Sequence, residues 1–273
     1  MSGSMGAVAP GRGRLFGVGV GPGDPELMTR RAVRVVESSP VVAHFAARNR
    51  RGNSLATVEE LLRPDHVVER LEYPVTVEPV LPDEYRRLLD EFHDSCADRL
   101  AAHLDAGRDV AVISEGDPLF YGSYMHLHVR LAHRYQTEVI PGVTSVAAAS
   151  AAAGVPVVSR DERFVVIPAT VSTEELRKVL AGDDAVVILK IGRNLEAVRT
   201  ALQASGRDTV AVYVERASFP EQRVIPVSAL NGVQAPYFSL VLVPGRRLAG
   251  EAPPHASSPA TSVSGLVGAT VLR

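Results

Sequence analysis

The chain has 273 residues, 46% of them hydrophobic and 22% charged, which is enough to build two domains of ordinary size. Its 29 Lys and Arg against 31 Asp and Glu leave a net charge of −2, so no strong basic field draws it to nucleic acid or to an anionic membrane surface. A single cysteine, Cys96, excludes an internal disulfide framework and a Cys-rich zinc site, and its place in a helical apolar stripe reads as core.

Residues 1–13, rich in Gly, Pro and Arg, read as a flexible lead without the apolar stretch of an export signal. No uninterrupted apolar run approaches the roughly 20 residues of a membrane helix. A strand from Leu15 runs into Gly19, Gly21, Pro22 and Gly23. Asp24 and Pro25 then supply a helix start, the first as N-cap and the second as first helical residue. Leu27, Val33, Val35 and Val36 belong to a helix of about a dozen residues. A second strand at 40–43, a helix over 53–62 and a short strand opening at Val67 follow. Pro82, Asp83 and Glu84 open a long helix in which Leu88, Leu89, Phe92, Cys96, Leu100 and Leu104 recur at helical spacing until Gly107. The strand at 110–113 stops at Gly116, Asp117 and Pro118, where glycine tolerates unusual torsions and proline fixes a turn. A helix over 120–134, a strand ending at Ile140, the turn 141–144 and an alanine-rich helix over 145–153 complete this half. Such alternation implies a mostly parallel sheet with helices on both faces. Its three glycine-marked loops each leave a strand at the carboxyl end, where open α/β sheets place ligands.

The stretch 154–159 reads as a connection, giving an N-terminal α/β domain over 14–154 and a C-terminal one over 155–248. Strands at 164–167, 185–189, 210–214, 223–225 and 238–243, with helices at 173–181 and 194–204, imply a second sheet that turns antiparallel toward its end. Residues 249–273, rich in Pro, Ser and Ala, read as a disordered tail, with a docking segment at 263–272 as the alternative.

The glycine loops fit neither familiar phosphate cradle. Counted from Gly17 and Gly19, the third position of the dinucleotide fingerprint falls on Pro22; counted from Gly19 and Gly21, it falls on Asp24. No lysine follows as a P-loop requires. With Pro22 and Asp24 in place, the first loop suits a ligand bearing hydroxyls, amines or a cationic centre better than a polyphosphate. His126 and His128, two apart on a helix, do not share a face and are not a metal pair.

The spaced blocks GVGPGD (19–24), EGDPLFYG (115–122), PGVTS (141–145), KIG (190–192), YVERA (213–217) and PEQR (220–223) together resemble the tetrapyrrole methyltransferases. The likeness runs from about Arg14 to Arg246. It implies the tetrapyrrole methylase fold, a class III methyltransferase of two αβα domains with the active site in the cleft between them. It also implies S-adenosylmethionine as cofactor, a small-molecule tetrapyrrole substrate, no nucleic-acid or membrane partner, and a cytoplasmic homodimer. Asp117 and the backbone of Glu115 and Gly116 would then hold the amino-acid or ribose end of the cofactor. Ser123, Thr144 and Ser145 would add hydrogen bonds, Ile191, Arg216, Ala217 and Ser239 would surround the adenine, and Pro22 would wall the site toward the substrate. Lys190, Arg193 and Arg160, with Arg216, are the candidates for the substrate's carboxylates, because Arg is the best fork for such a group. Tyr124 is placed at the substrate, and His128 is the candidate proton acceptor. No Ser/His/Asp set, metal cluster or carboxylate pair is needed, because methyl transfer from a sulfonium is an in-line displacement that mainly requires alignment and exclusion of water. The rival readings are a relative acting on RNA or protein, a nucleotide-dependent oxidoreductase and a non-catalytic binding protein. The near-neutral charge disfavours the RNA-modifying relative and the failed fingerprint disfavours the oxidoreductase.

Overall fold

The computed structural model describes residues 11–74, 81–230, 232 and 234–246; most of the lead and the whole tail named above lie outside them. The first sheet comprises β1 (Leu15–Gly19), β2 (Val41–Ala46), β3 (Val67–Glu72), β4 (Val110–Ser114) and β5 (Thr137–Ile140), in the order β3-β2-β4-β1-β5. Every pairing in it is parallel. Strand alternation sorts its side chains to two cores. Leu15, Val41, Val110 and Val112 meet Cys96, Leu100 and Leu104 of α3 (Pro82–Asp105) and Leu127 and Leu131 of α4 (Tyr124–Leu131). Phe16, Val18, Val42, Ala111 and Ile113 meet Ala32, Val35 and Val36 of α1 (Arg30–Ser38). Such covering of both faces is what an all-parallel sheet requires. Gly17 makes room for α4: a Cβ there would lie 2.3 Å from the Tyr124 ring.

The second sheet holds β6 (Phe164–Pro168), β7 (Ala185–Leu189), β8 (Val212–Glu215), β9 (Arg223–Pro226) and β10 (Ser239–Val243), ordered β6-β7-β10-β8-β9. Its first pair is parallel and the rest antiparallel, the change of direction that the strand order implies. α6 (Thr173–Ala181) and α7 (Leu195–Ala204) cover one face. α5 (Ser145–Ala153) covers the other, packing on β8 and β10. So α5, which follows the last strand of the first sheet, packs on the second and ties the two together.

Local chemistry moves several element ends. The helix expected over 53–62 is α2 (Asn53–Thr57) and a separate single turn at Glu59–Leu61, because Val58 leaves helical torsions. The helix expected from 120 begins at Tyr124, because Tyr121 is left-handed (φ 57°). The dozen-residue helix after the first loop is a 3₁₀ turn, Pro25–Leu27, then α1, whose N-cap Thr29 accepts from the Ala32 N–H.

α3 and α4 meet through two histidines. The buried His93 ring stacks on that of His126, with centroids 4.2 Å apart and planes inclined by 16°. Burial, then the neighbouring His126 and Arg130, lower the pKa of His93 from 6.5 to about 4. The unfolded chain therefore takes this proton first, so the stability is fully present above pH 6.5 and is lost as pH falls toward 4. Up to about 3 kcal/mol of acid destabilisation is expected from this group. His93→Phe should remove it in urea titrations across that range; an unchanged acid loss would show that His93 is not its source.

Candidate active site

Three loops at the carboxyl ends of β1, β4 and β5 touch backbone to backbone. Gly21 and Gly116 form an isolated antiparallel bridge, the Gly116 N–H donating to the Gly21 carbonyl at 2.7 Å. Both are left-handed, at φ 80° and 65°, torsions that glycine adopts without strain. Gly142 packs so closely that a Cβ on it would lie 2.0 Å from the Gly116 oxygen. Asp117 staples the second loop to the third, one carboxylate oxygen accepting from the Gly142 N–H at 3.1 Å and the other from the Leu119 N–H at 2.9 Å. Thr144 caps α5 through the Ala147 N–H at 3.3 Å. The first loop also reaches the C-terminal half: the Asp24 N–H donates to the Ser218 hydroxyl at 3.1 Å, and the Phe219 ring fills the space where a Cβ of Gly23 would stand.

Together these loops and the ends of β7, β8 and β10 line one cleft between the sheets. Its apolar surface comes from Phe45, Ile113, Phe120, Tyr121, Leu189, Val214, Phe219, Tyr237, Phe238 and Leu240. Pro22, Gly116, Ala217 and the hydroxyls of Ser114, Ser123, Thr144, Ser145 and Ser239 are set among them, with one acid, Glu115, and two cations, Lys190 and Arg216. The Ser114 hydroxyl is buried without a partner among the described residues. The Glu115 carboxylate accepts the Ser54 N–H at 3.0 Å, and burial raises its pKa. Ser123 bonds the Tyr73 hydroxyl, whose pKa burial pushes up to about 12. Tyr121, Lys190 and Arg216 all carry left-handed backbones, at φ 57°, 54° and 49°, strain of a kind that clusters at binding sites. The Lys190 ammonium stands 5.1 Å from the centre of the Tyr121 ring, bridging the two halves.

Of the residues that the sequence singles out, Pro22, Glu115, Gly116, Ser123, Thr144, Ser145, Lys190, Arg216, Ala217 and Ser239 line this cleft. The others stand elsewhere. Asp117 lies behind the lining, holding loops. Ile191 is buried in the core under α6 and α7. Tyr124 is fully buried, with its hydroxyl 3.2 Å from His128 Nδ1. Arg193 borders a separate cavity with Glu196 and Arg199. Arg160 is an exposed turn residue with φ 48°. Sequence reasoning missed the aromatic wall. Phe120, Tyr121 and Phe219 lie in or beside recognised blocks and Phe238 opens an expected strand, whereas Phe45 and Tyr237 carry no periodic or motif signal, and the six meet only through tertiary packing.

The Asp117 staple yields an expected result of its own. Asp117→Ala should lower stability by about 2 kcal/mol, the scale of a charge-assisted hydrogen bond to a part-buried backbone donor. Urea unfolding measures it, and an unchanged midpoint would mean that the loops hold without the carboxylate.

Fold and cleft together define a two-sheet α/β protein with a glycine-cradled binding cleft between its sheets. The chain belongs to the tetrapyrrole (corrin/porphyrin) methylases, whose family model matches residues 14–230. It is 52% identical to a precorrin-2 C(20)-methyltransferase from Sinorhizobium sp, over 86% of this chain and 96% of that one. It is 29% identical to the cobalt-precorrin-2 C(20)-methyltransferase of Salmonella typhimurium, over 85% of this chain and 96% of that one. Among solved structures, uroporphyrin-III C-methyl transferase from Thermus thermophilus complexed with S-adenyl homocysteine is similar, with a TM-score of 0.60 and 26% identity, over 85% of this chain and 92% of that one.

Proposed function

We propose that this protein transfers a methyl group from S-adenosylmethionine to C20 of precorrin-2, giving precorrin-3A in cobalamin biosynthesis. The observation that carries the reading is the 52% identity with a precorrin-2 C(20)-methyltransferase over 86% of the chain. The alternative, a cobalt-loaded substrate methylated at the same carbon, has the lower identity of 29% behind it.

The cleft suits the cofactor. Its glycine cradle leaves no room for a Cβ at Gly19 or Gly142, and the buried Ser114 hydroxyl is a donor awaiting a partner. In this reading Gly116, the Glu115 backbone, Thr144 and Ser145 take the polar groups of the cofactor. Val214, Ala217, Ser239 and Leu240 pack its adenine, and Pro22 closes the side toward the substrate. When bound, S-adenosylmethionine supplies an electrophilic methyl group on a positively charged sulfur. The aromatic wall of Phe120, Tyr121, Phe219, Tyr237 and Phe238 would accept a flat macrocycle, and Lys190 and Arg216 would pair with its carboxylates. Aligning the reactants and keeping water from them is then the work of the protein.

The 14–154 and 155–248 domain division and the cytoplasmic homodimer belong to the same reading; light scattering at twice the chain mass would support the dimer. Among the described residues, no helix is long and apolar enough to cross a membrane. Anaerobic assays with precorrin-2 and with its cobalt-loaded oxidised counterpart test the substrate. Turnover of the metal-free ring is the expected result, and turnover of the cobalt form alone would replace it with the alternative.

A further inference from the structure

Glu115 is the only acidic residue among the described residues that line the cleft. It follows the last residue of β4 and precedes the left-handed Gly116, where the main chain turns toward Gly21, and it forms part of the cleft wall. One oxygen is oriented by the Ser54 N–H at the start of α2, 3.0 Å away. No Lys, Arg or His among the described residues forms an ion pair with it. Tyr73, from the end of β3, and Tyr237, from the loop before β10, are close enough to feel its charge, while Lys190 and Arg216 line the cleft elsewhere. A carboxylate desolvated in this way without a paired cation costs stability when ionised. Such a group calls for a role beyond structure.

We propose that the Glu115 carboxylate is the proton acceptor of the methylation, an inference that rests on the C20 reading above. A ring carbon that carries one hydrogen and takes a methyl group through its π electrons leaves the macrocycle one positive charge in excess, while the sulfur keeps the electron pair of the bond it loses. Conjugation returns when the carbon–hydrogen bond breaks. Its electron pair goes back to the ring and its proton passes to a Glu115 oxygen, so that a cationic ring and a carboxylate become a neutral ring and a neutral acid. The acid gives the proton to water once the product has left. Burial favours this exchange, because desolvation makes the carboxylate a stronger base than a glutamate in water.

Glu115→Gln tests this, because the amide oxygen still accepts the Ser54 N–H while the basic group is gone. The expected result is a fall in kcat of about 10²–10⁴-fold, with unchanged calorimetric affinity for S-adenosylhomocysteine. The acid limb of the wild-type kcat profile should vanish in the residual activity. The variant should also melt higher than wild type at neutral pH but not below the ordinary carboxyl range: the folded pKa is raised, so the wild-type carboxyl weakens the fold only as rising pH ionises it. A wild-type kcat in the variant would overturn the proposal. So would a loss of S-adenosylhomocysteine affinity that matches the loss of kcat, since the carboxylate would then be a cofactor anchor. Persistence of the acid limb would overturn it as well, assigning the limb to another group such as the buried His44 of β2. Inactivity of the wild-type chain on precorrin-2 would count against the substrate reading, while the binding and melting measurements, made without substrate, still decide the place of Glu115.

Discussion

Gly142→Ala is expected to abolish S-adenosylhomocysteine binding and to destabilise the protein by about 3 kcal/mol or more, the upper range for overpacking. The reason is that nothing near the new methyl can yield. The added Cβ would lie 2.0 Å from the Gly116 oxygen and 2.9 Å from Gly19 Cα. Gly116 is tied to Gly21, and Gly19 is a β1 residue in register with Ser114 of β4. Relief therefore means separating the loops, which also breaks the bond from Gly142 N–H to Asp117. Gly154→Ala is the matched control. That glycine, unlike Gly142, is left-handed, at φ 61°, but its Cβ would meet nothing within 4 Å, so about 1 kcal/mol is expected from the backbone alone and binding should survive. Calorimetry and urea titration of both variants check the pair. Normal affinity in folded Gly142→Ala would refute the cradle.

Removing both cleft cations should raise the KM for the tetrapyrrole by about 10²–10⁴-fold, since each charge-assisted bond is worth roughly 1.5–3 kcal/mol. The smaller part of the loss should fall on kcat, because carboxylates at the rim of the ring are held in ground and transition state alike. Asn is the replacement to use at Lys190 and Arg216, whose backbones are left-handed at φ 54° and 49°, because Asn tolerates that region better than other non-glycine residues. Arg193→Asn is the internal comparison. Arg193 borders the cavity shared with Glu196 and Arg199, so its loss should leave KM unchanged. A KM that responds to Arg193 and not to Lys190 or Arg216 would move the carboxylate clamp to that second cavity.

The turns that are legible in the sequence share one physical property. Gly21, Gly116 and Gly142 act through backbone torsion and close approach, which leave a readable signature within a few residues of chain. The strands were legible for a similar reason: β4 and β7 are buried at every position and so read as short apolar runs. Failures occur where position depends on a distant partner. Ile191 stands in a motif block beside Lys190, yet its side chain turns into the core under α7 while Lys190 reaches the cleft. Tyr124 and His128 sit on the helix that follows the central loop, but the space left by the missing Cβ of Gly17 takes the Tyr124 ring into the core, outside the cleft lining. Asp117 reads from its motif as a ligand-binding carboxylate, and only the arrival of Gly142 from the neighbouring loop shows that its oxygens are occupied by main chain. The aromatic wall is the clearest case. Phe45, Phe219 and Tyr237 come from three separate parts of the chain and share no spacing that a linear pattern could carry.

The measurement that bears most directly on the account is the position of the transferred carbon. Wild-type protein incubated anaerobically with precorrin-2 and S-adenosylmethionine carrying a ¹³C methyl group should give one labelled methyl per macrocycle. Carbon NMR of the product should place it at C20, without added metal. Label at another ring carbon would contradict the C20 assignment while leaving the family intact, and label recovered on RNA or protein would contradict the tetrapyrrole substrate.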